Sequence, residues 1–295
     1  MCEKIVDCPA GTAPDIVVRL LAQKLSEDWG NQCMIMDNKP GACGLIAATE
    51  AARAAPDRYT LMLDETGQLS IPPSRYNKLP YDPKKDFVLV SQMFGANFVF
   101  LVNSLKTLAR NAKKFADWSR QQKGLFLATF GAGTPGYFGV FMLGDALKRK
   151  SEPVHCKSTG DALGSMFSGD VQGDFTTVGL AAPQVKAGKL LALGAPGPTR
   201  AGALPDVQTF EEQGFAELEF GSWFGVAAHA KTPSDIVARL NADILKVVRA
   251  PEMKAKLEET WFRVTGTSPD EFASIISADT VKWGKAVAAT GFKAD

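Results

Sequence analysis

Gly124-Leu-Phe-Leu-Ala-Thr-Phe-Gly-Ala-Gly-Thr-Pro-Gly-Tyr137, continuing to Lys148, is the stretch that sets the architecture. Leu125 to Phe130 is a short apolar run bounded by glycines. Tyr137 to Lys148 carries Phe138, Phe141, Met142 and Ala146 at near-helical spacing, so the order is strand, loop, helix. In the loop, Thr134 is placed to cap the helix and Pro135 to be its first residue. That arrangement turns backbone N–H groups outward at a helix start, where anions are favoured.

Gly131 to Gly136 also matches the dinucleotide fingerprint G-x-G-x-x-G. The fingerprint requires an acid about 20 residues on, at the end of the next strand. Here the nearest acid, Glu152, precedes the strand-like Pro153 to Cys156, so a nucleotide is disfavoured and no cofactor is expected.

The chain has 295 residues, enough for two domains with separate cores. Its hydrophobic content of 45%, charged content of 22% and net charge of +1 describe a globular protein without the basic surface that nucleic acid requires. No apolar run approaches the ~18 residues of a membrane span. The start at Met1-Cys2-Glu3-Lys4 shows no signal peptide, which fits either a cytoplasmic protein or one whose leader is missing. The 5 cysteines stand at 2, 8, 33, 43 and 156, with no C-x-x-C pair, and the 2 histidines are His155 and His229. Neither a zinc site nor a disulfide framework nor a His-based triad follows from that set, and no metal is expected.

The same strand, loop and helix order recurs at the start. Ile5 to Cys8 leads into Pro9-Ala10-Gly11-Thr12-Ala13-Pro14-Asp15 and a helix with Val17, Leu20, Leu21 and Leu25 on one face. Thr12 and Asp15 stand at capping-box spacing. Strands follow at Cys33 to Met36 and Thr60 to Leu63, with a turn at Asn38 to Gly41, a helix from Leu45 to Ala54, and a turn at Pro56-Asp57-Arg58-Tyr59. Asp64 to Ser70, including Gln68, is polar where a strand's carboxyl end would meet a cleft. Two apolar strands lie in Val88 to Val102, broken at Gly95-Ala96-Asn97. A helix is expected from Lys106 to Gln122, then another after Ser158, whose cap spacing to Asp161 repeats the pattern. Val171 to Val178 reads as a strand bearing Thr176, Ala181 to Ala187 as a helix, Leu190 to Leu193 as a strand, and Arg200 to Gly214 as surface. A strand from Trp223 to Ala228, a helix from Ile236 to Val248 capped by Thr232-Pro233-Ser234-Asp235, and helices at 251–259 and 269–289 complete the chain. Alternation of this kind predicts α/β layers with ligands at the carboxyl ends of strands.

Ala10 to Asp15 with Arg19, Asn38 to Ala42, Ala55-Pro56-Asp57 before Tyr59-Thr60-Leu61, and Leu79-Pro80-Tyr81-Asp82 with Asp86-Phe87 together resemble one family. So do Phe130 to Thr134, Lys186 to Lys189, and Leu204 to Phe210 with Gly214. The match, in order over nearly the whole chain, is to the substrate-binding proteins of tripartite tricarboxylate transporters, the Bug receptors. The resemblance implies an α/β Venus-flytrap binding protein of type II, periplasmic and monomeric, each lobe a mixed sheet flanked by helices. It implies lobe 1 from 1–100 with 222–295, lobe 2 from 101–221, a small carboxylate in the cleft between them, and delivery to membrane transporter subunits without catalysis. The expected ligand contacts are Gly11, Thr12, Ala13, Asp15 and Gln68 in lobe 1. In lobe 2 they are Gly131, Ala132, Gly133, Thr134, Thr159, Asp161 and Thr176. Arg58, Cys43, Cys156 and Trp261 depart from the family pattern; at Arg58, Cys43 and Trp261 a glycine is usual, which puts turn geometry there in question. A sensor module signalling to a membrane kinase and a two-domain transferase are the competing readings.

Overall fold

The computed structural model describes residues 2–6, 8, 10–56 and 59–294, with the side chains of 2–6 and 159 excepted. The Asp57-Arg58 turn lies outside the described residues. In order the elements are β1 (Cys2–Val6), α1 (Ala13–Asp28), β2 (Met34–Asn38), α2 (Leu45–Arg53), β3 (Thr60–Glu65), α3 (Thr66–Leu69), α4 (Pro72–Arg75), β4 (Phe87–Ala96) and β5 (Phe98–Asn103). Then come α5 (Ala112–Arg120), β6 (Phe126–Thr129), α6 (Pro135–Ala146), β7 (Glu152–His155), α7 (Thr159–Ser168), β8 (Gly173–Thr177), α8 (Val178–Lys186) and β9 (Leu190–Gly194). The chain closes with β10 (Ser222–His229), α9 (Ser234–Val248), α10 (Pro251–Glu259), β11 (Phe262–Val264) and α11 (Pro269–Thr290).

Two compact units result, Met1–Gly95 with Trp223–Asp295, and Ala96–Ser222. The first holds a mixed sheet in the order β11-β4-β10-β3-β1-β2, with β1 parallel to β2 and β3, and β10 antiparallel to β3. Its core packs Phe94 against Phe224 and Phe262 at centroid distances of 4.9 Å each, and Trp223 edge-on against Phe272 at 5.1 Å. Offset and edge-on aromatic pairs add roughly 0.5 to 1.5 kcal/mol beyond the area they bury. Val17, Leu21 and Leu25 of α1 and Leu240, Ile244 and Val248 of α9 are buried, as their helical spacing predicts.

The second unit holds a sheet in the order β7-β6-β8-β5-β9, with β6 parallel to β7 and β8, and β5 antiparallel to β8 and β9. Phe100, Phe115, Phe175, Phe210 and Phe220 are all fully buried in it.

Several boundaries differ from the sequence reading. Asn38 ends β2 instead of opening a turn, because its side chain is held by Cys8 and Asp15. The helix expected from Lys106 starts only at Ala112, after Asn111, whose side chain accepts the Lys114 N–H. The 200–214 stretch is no surface strap: Ala201, Leu204, Thr209, Phe210 and Gln213 are buried, and Gln213 accepts the Ala112 N–H at 2.7 Å. α9 starts after Pro233 with no side-chain cap, so Thr232 and Ser234 do not play the role their spacing suggests. By contrast α11 has a full capping box, Ser268 N–H donating to Glu271 at 2.8 Å and Glu271 N–H to Ser268 at 3.3 Å. Cys43 has φ 52 and Trp261 φ 60, so both departures from a usual glycine fall in left-handed backbone.

Candidate functional site

In the first unit, the loop between β1 and α1 is held by one carboxylate. Asp15 is 1% exposed and accepts from the Gly11 N–H at 2.8 Å, from Arg19 Nε at 2.9 Å and from Asn38 Nδ2 at 2.9 Å. Arg19 Nη2 also donates to Asn38 Oδ1 at 2.9 Å, so the two ends of the clamp are tied together. Burial alone would raise the Asp15 carboxyl, but the bonds from Arg19, Asn38 and Gly11 hold it below its usual range. Capping-box spacing is thus used differently from the sequence reading. The side chain of Thr12 makes no cap bond, and Asp15 reaches back past it to Gly11, whose φ of 81 turns its N–H inward. Asp15 and the Gly11 N–H spend their hydrogen bonds inside the loop. Gly11 and Ala13 are exposed and Thr12 is half-buried at the helix start, where first-turn N–H groups lack an intrahelical acceptor.

Gln68 does not line an open strand end. It is 0% exposed, and its Oε1 accepts the Glu65 N–H at 3.0 Å, one arm of the capping box that starts α3. The preceding Asp64 is 0% exposed as well, and burial, with the neighbouring Glu65 charge added, pushes its carboxyl well above the ordinary range.

In the second unit the glycine-rich loop follows β6. Gly131 (φ 111) and Gly133 (φ 81) occupy backbone that a side chain resists, which is why the loop needs glycine there. Thr134 caps α6: its hydroxyl accepts the Tyr137 N–H at 3.3 Å and donates to the Gly131 carbonyl at 3.0 Å. Pro135 follows as the first helical residue, as the sequence predicts. Gly133 is buried, while Gly131, Ala132 and Thr134 are half-buried. Gly136, in the first turn, sits so close to β8 that a Cβ there would stand 3.2 Å from the Phe175 carbonyl.

The start of α7 lies in the same unit. Ser158 accepts the Asp161 N–H at 3.1 Å, and Asp161 is exposed. Thr159 is the first helical residue; its side chain lies outside those described. Thr176 is 4% exposed, and its hydroxyl makes no hydrogen bond with the described residues. Sequence reading missed Asp174, two residues before it. Asp174 is 2% exposed, its Oδ1 has no partner among the described residues, and burial pushes its carboxyl up to about 8. The signal was present, an acid inside an otherwise buried strand.

Among the described residues, no group of three or more His, Cys, Asp or Glu could hold a metal ion, and no helix is long and apolar enough to cross a membrane. Cys33 and Cys156 carry free thiols. Burial, with the charges of Asp174 and Asp161, raises the Cys156 thiol, which makes it a poor nucleophile.

Each unit holds parallel strands that feed a helix start, and this two-unit α/β fold is shared with solved periplasmic solute-binding proteins. A solved periplasmic transporter is similar at 31% identity over 100% of this chain and 98% of its own, with a TM-score of 0.85. MatC from Rhodopseudomonas palustris, with bound malate, is similar at 27% identity over 97% of this chain and 98% of its own, TM-score 0.81. Rpa4515 of R. palustris, with adipate, is similar at 25% identity over 99% and 98%, TM-score 0.85. In sequence, a UPF0065 protein from the tcbD-tcbE intergenic region of a Pseudomonas strain is 29% identical over 96% of this chain and 84% of its own. Residues 17–292 match the family model of the tripartite tricarboxylate transporter family receptor, and the chain belongs to that family of solute receptors.

Proposed function

We propose that the chain receives a small aliphatic carboxylate in the periplasm, after removal of a leader, and hands it as a monomer to the membrane subunits of a tripartite transporter without chemical turnover. The observation that carries the reading is the chemistry of the two loops. Residues 10–15 and 131–136 contain no lysine or arginine, yet both open a helix after a strand. An anion at either loop would meet backbone N–H groups at a helix start, those of Thr12 and Ala13 in the first unit or those of Gly133, Thr134 and Gly136 in the second. Asp15 and Arg19 hold the first loop in shape, and Gln68, whose buried Nε2 has no partner among the described residues, remains a proposed contact. The dipole of each helix start contributes about 0.3 to 1 kcal/mol, up to about 2 when partly buried, and each hydrogen bond to the charge roughly 1.5 to 3. Three or four such contacts support micromolar binding, about −8 kcal/mol net of ordering. Malate and adipate, bound by the two R. palustris relatives, support a dicarboxylate of four to six carbons.

A thermal-shift screen across mono-, di- and tricarboxylates and aromatic acids tests the proposal. A true ligand raises stability by RT ln(1 + [L]/Kd), roughly 2.7 kcal/mol at a hundredfold excess over Kd. A flat response to every aliphatic acid at millimolar concentration would sink it.

A further inference from the structure

Side chains alternate along β8, so Asp174 and Thr176 share one face of the sheet. Phe175 takes the other, tilted against Phe100 at 4.9 Å and edge-on to Phe220 at 5.1 Å. Leu101 of β5 is the register partner of Asp174 and shares its face. Two residues on from Leu101, Asn103 donates from Nδ2 to the Met166 carbonyl of α7 at 3.0 Å. The Asp174 face is therefore the one that α7 covers.

Cys156 directly follows β7, its N–H bonded to the Thr129 carbonyl at 3.0 Å, and burial, with the charges of Asp174 and Asp161 added, raises its thiol. Thr176 stands one residue from the carboxyl end of β8, and Asp174 two residues before it. Asp174 Oδ1 and Thr176 Oγ1 are buried there without a partner among the described residues. Two such atoms in one buried place are costly, at about 1 to 3 kcal/mol each, unless something bonds them. The strand rise sets the two residues about 6.6 Å apart, a gap that a single small group bridges with two hydrogen bonds.

We propose that Asp174 and Thr176 form a subsite of the second unit that selects carboxylates carrying a hydrogen-bond donor, a hydroxyl or an ammonium, on the carbon chain, against the unsubstituted acid. The reading rests on the receptor function above and deepens it. The Asp174 carboxyl and the Thr176 hydroxyl both offer acceptor oxygens, so the subsite suits a donor. A hydroxyl donates to one oxygen and accepts from the other group, leaving the protonation of Asp174 unchanged. An ammonium keeps its three protons and the Asp174 proton leaves to solvent, so binding releases one proton near neutral pH. Sites that bond a polar substituent reject the analogue lacking it, because their buried groups are then left unpaired.

The test is calorimetry on the full chain with matched sets, succinate, malate and aspartate, then glutarate, 2-hydroxyglutarate and glutamate, in phosphate and in Tris at pH 7. The expected result is at least tenfold tighter binding of a substituted acid than of its unsubstituted partner. Asp174→Val and, independently, Thr176→Val should each cut that preference, read as the ratio of the two affinities, to threefold or less. Two variants are used because either alone could fail to fold. Heat that depends on buffer for the amino acid only marks the ammonium arm; buffer-independent heat with preference for the hydroxy acid marks the other. Equal binding of substituted and unsubstituted acids, or a preference that survives both variants, overturns the subsite and leaves the receptor reading standing. Failure of every carboxylate to bind overturns both.

Discussion

Arg19 Nε lies 2.9 Å from the Asp15 carboxylate, one turn back along α1, and the pair closes the loop where an anion is expected instead of pointing into it. The Asp15 side chain is 2% exposed and the Arg19 side chain 45% exposed, so only the acid depends on the partnership for its solvation. Removing the arginine leaves a buried carboxylate with the Gly11 and Asn38 bonds alone.

Arg19→Ala is therefore expected to destabilise the chain by about 1 to 3 kcal/mol at pH 7, as loss of a charged hydrogen bond does. The folded Asp15 carboxyl titrates below its ordinary value of 3.8, so its contribution is present above that value and fades as pH falls through the folded one. Urea melts of the variant and the parent should converge toward pH 3. A gap that stays constant from pH 7 to pH 3 would assign the loss to packing of the arginine stem.

Thr134→Val removes the bond to the Tyr137 N–H and the tether on the Gly131 carbonyl while keeping the shape. The expected cost is about 1 kcal/mol of stability from the cap and a tenfold or greater rise in Kd for the carboxylate found by screening. Thr134→Ser restores both. Calorimetry showing unchanged affinity in the valine variant would move the anion away from this loop.

Asp174 carries a folded carboxyl near 8 against an ordinary 3.8, so the folded protein holds a proton that the unfolded chain has lost. Stability should fall as pH rises between those values, by up to about 1.4 kcal/mol per unit for this one group. Asp64 is shifted in the same direction and adds to the fall. Asp174→Asn should reduce the slope and leave the variant more stable than the parent at pH 9. Identical slopes in denaturation series from pH 6 to 9 would show that Asp174 ionises normally.

Cys43→Gly places the permissive residue at a φ of 52, in a turn where Gly41 (φ 130), Ala42 (φ 48) and Gly44 (φ 86) are also left-handed. Relief of about 1 to 2 kcal/mol of backbone strain is offset by the greater freedom of glycine in the unfolded chain. A gain of up to about 1 kcal/mol is expected, read from the shift in melting temperature. A loss beyond that amount would mean the thiol packs better than its half-buried position suggests.

Much of this was legible in the sequence because the signals were local. Thr134-Pro135 marked the start of α6 and Ser158 the start of α7, since a cap needs only its own three or four neighbours. The helical spacing of Leu21, Leu25, Leu240 and Ile244 placed the buried faces for the same reason. What required the tertiary structure was every choice between partners distant in sequence. The bond that Asn38, 23 residues away, gives to the Asp15 carboxylate had no local signal. Phe210 looked like part of a surface strap until β9 and β8 brought Phe175 within 6.1 Å of it. Asp174 stood unremarked in its strand. Only the pairing of β8 between β6 and β5, under α7, strips it of water, and that desolvation, which no neighbour in sequence reveals, shifts its proton affinity.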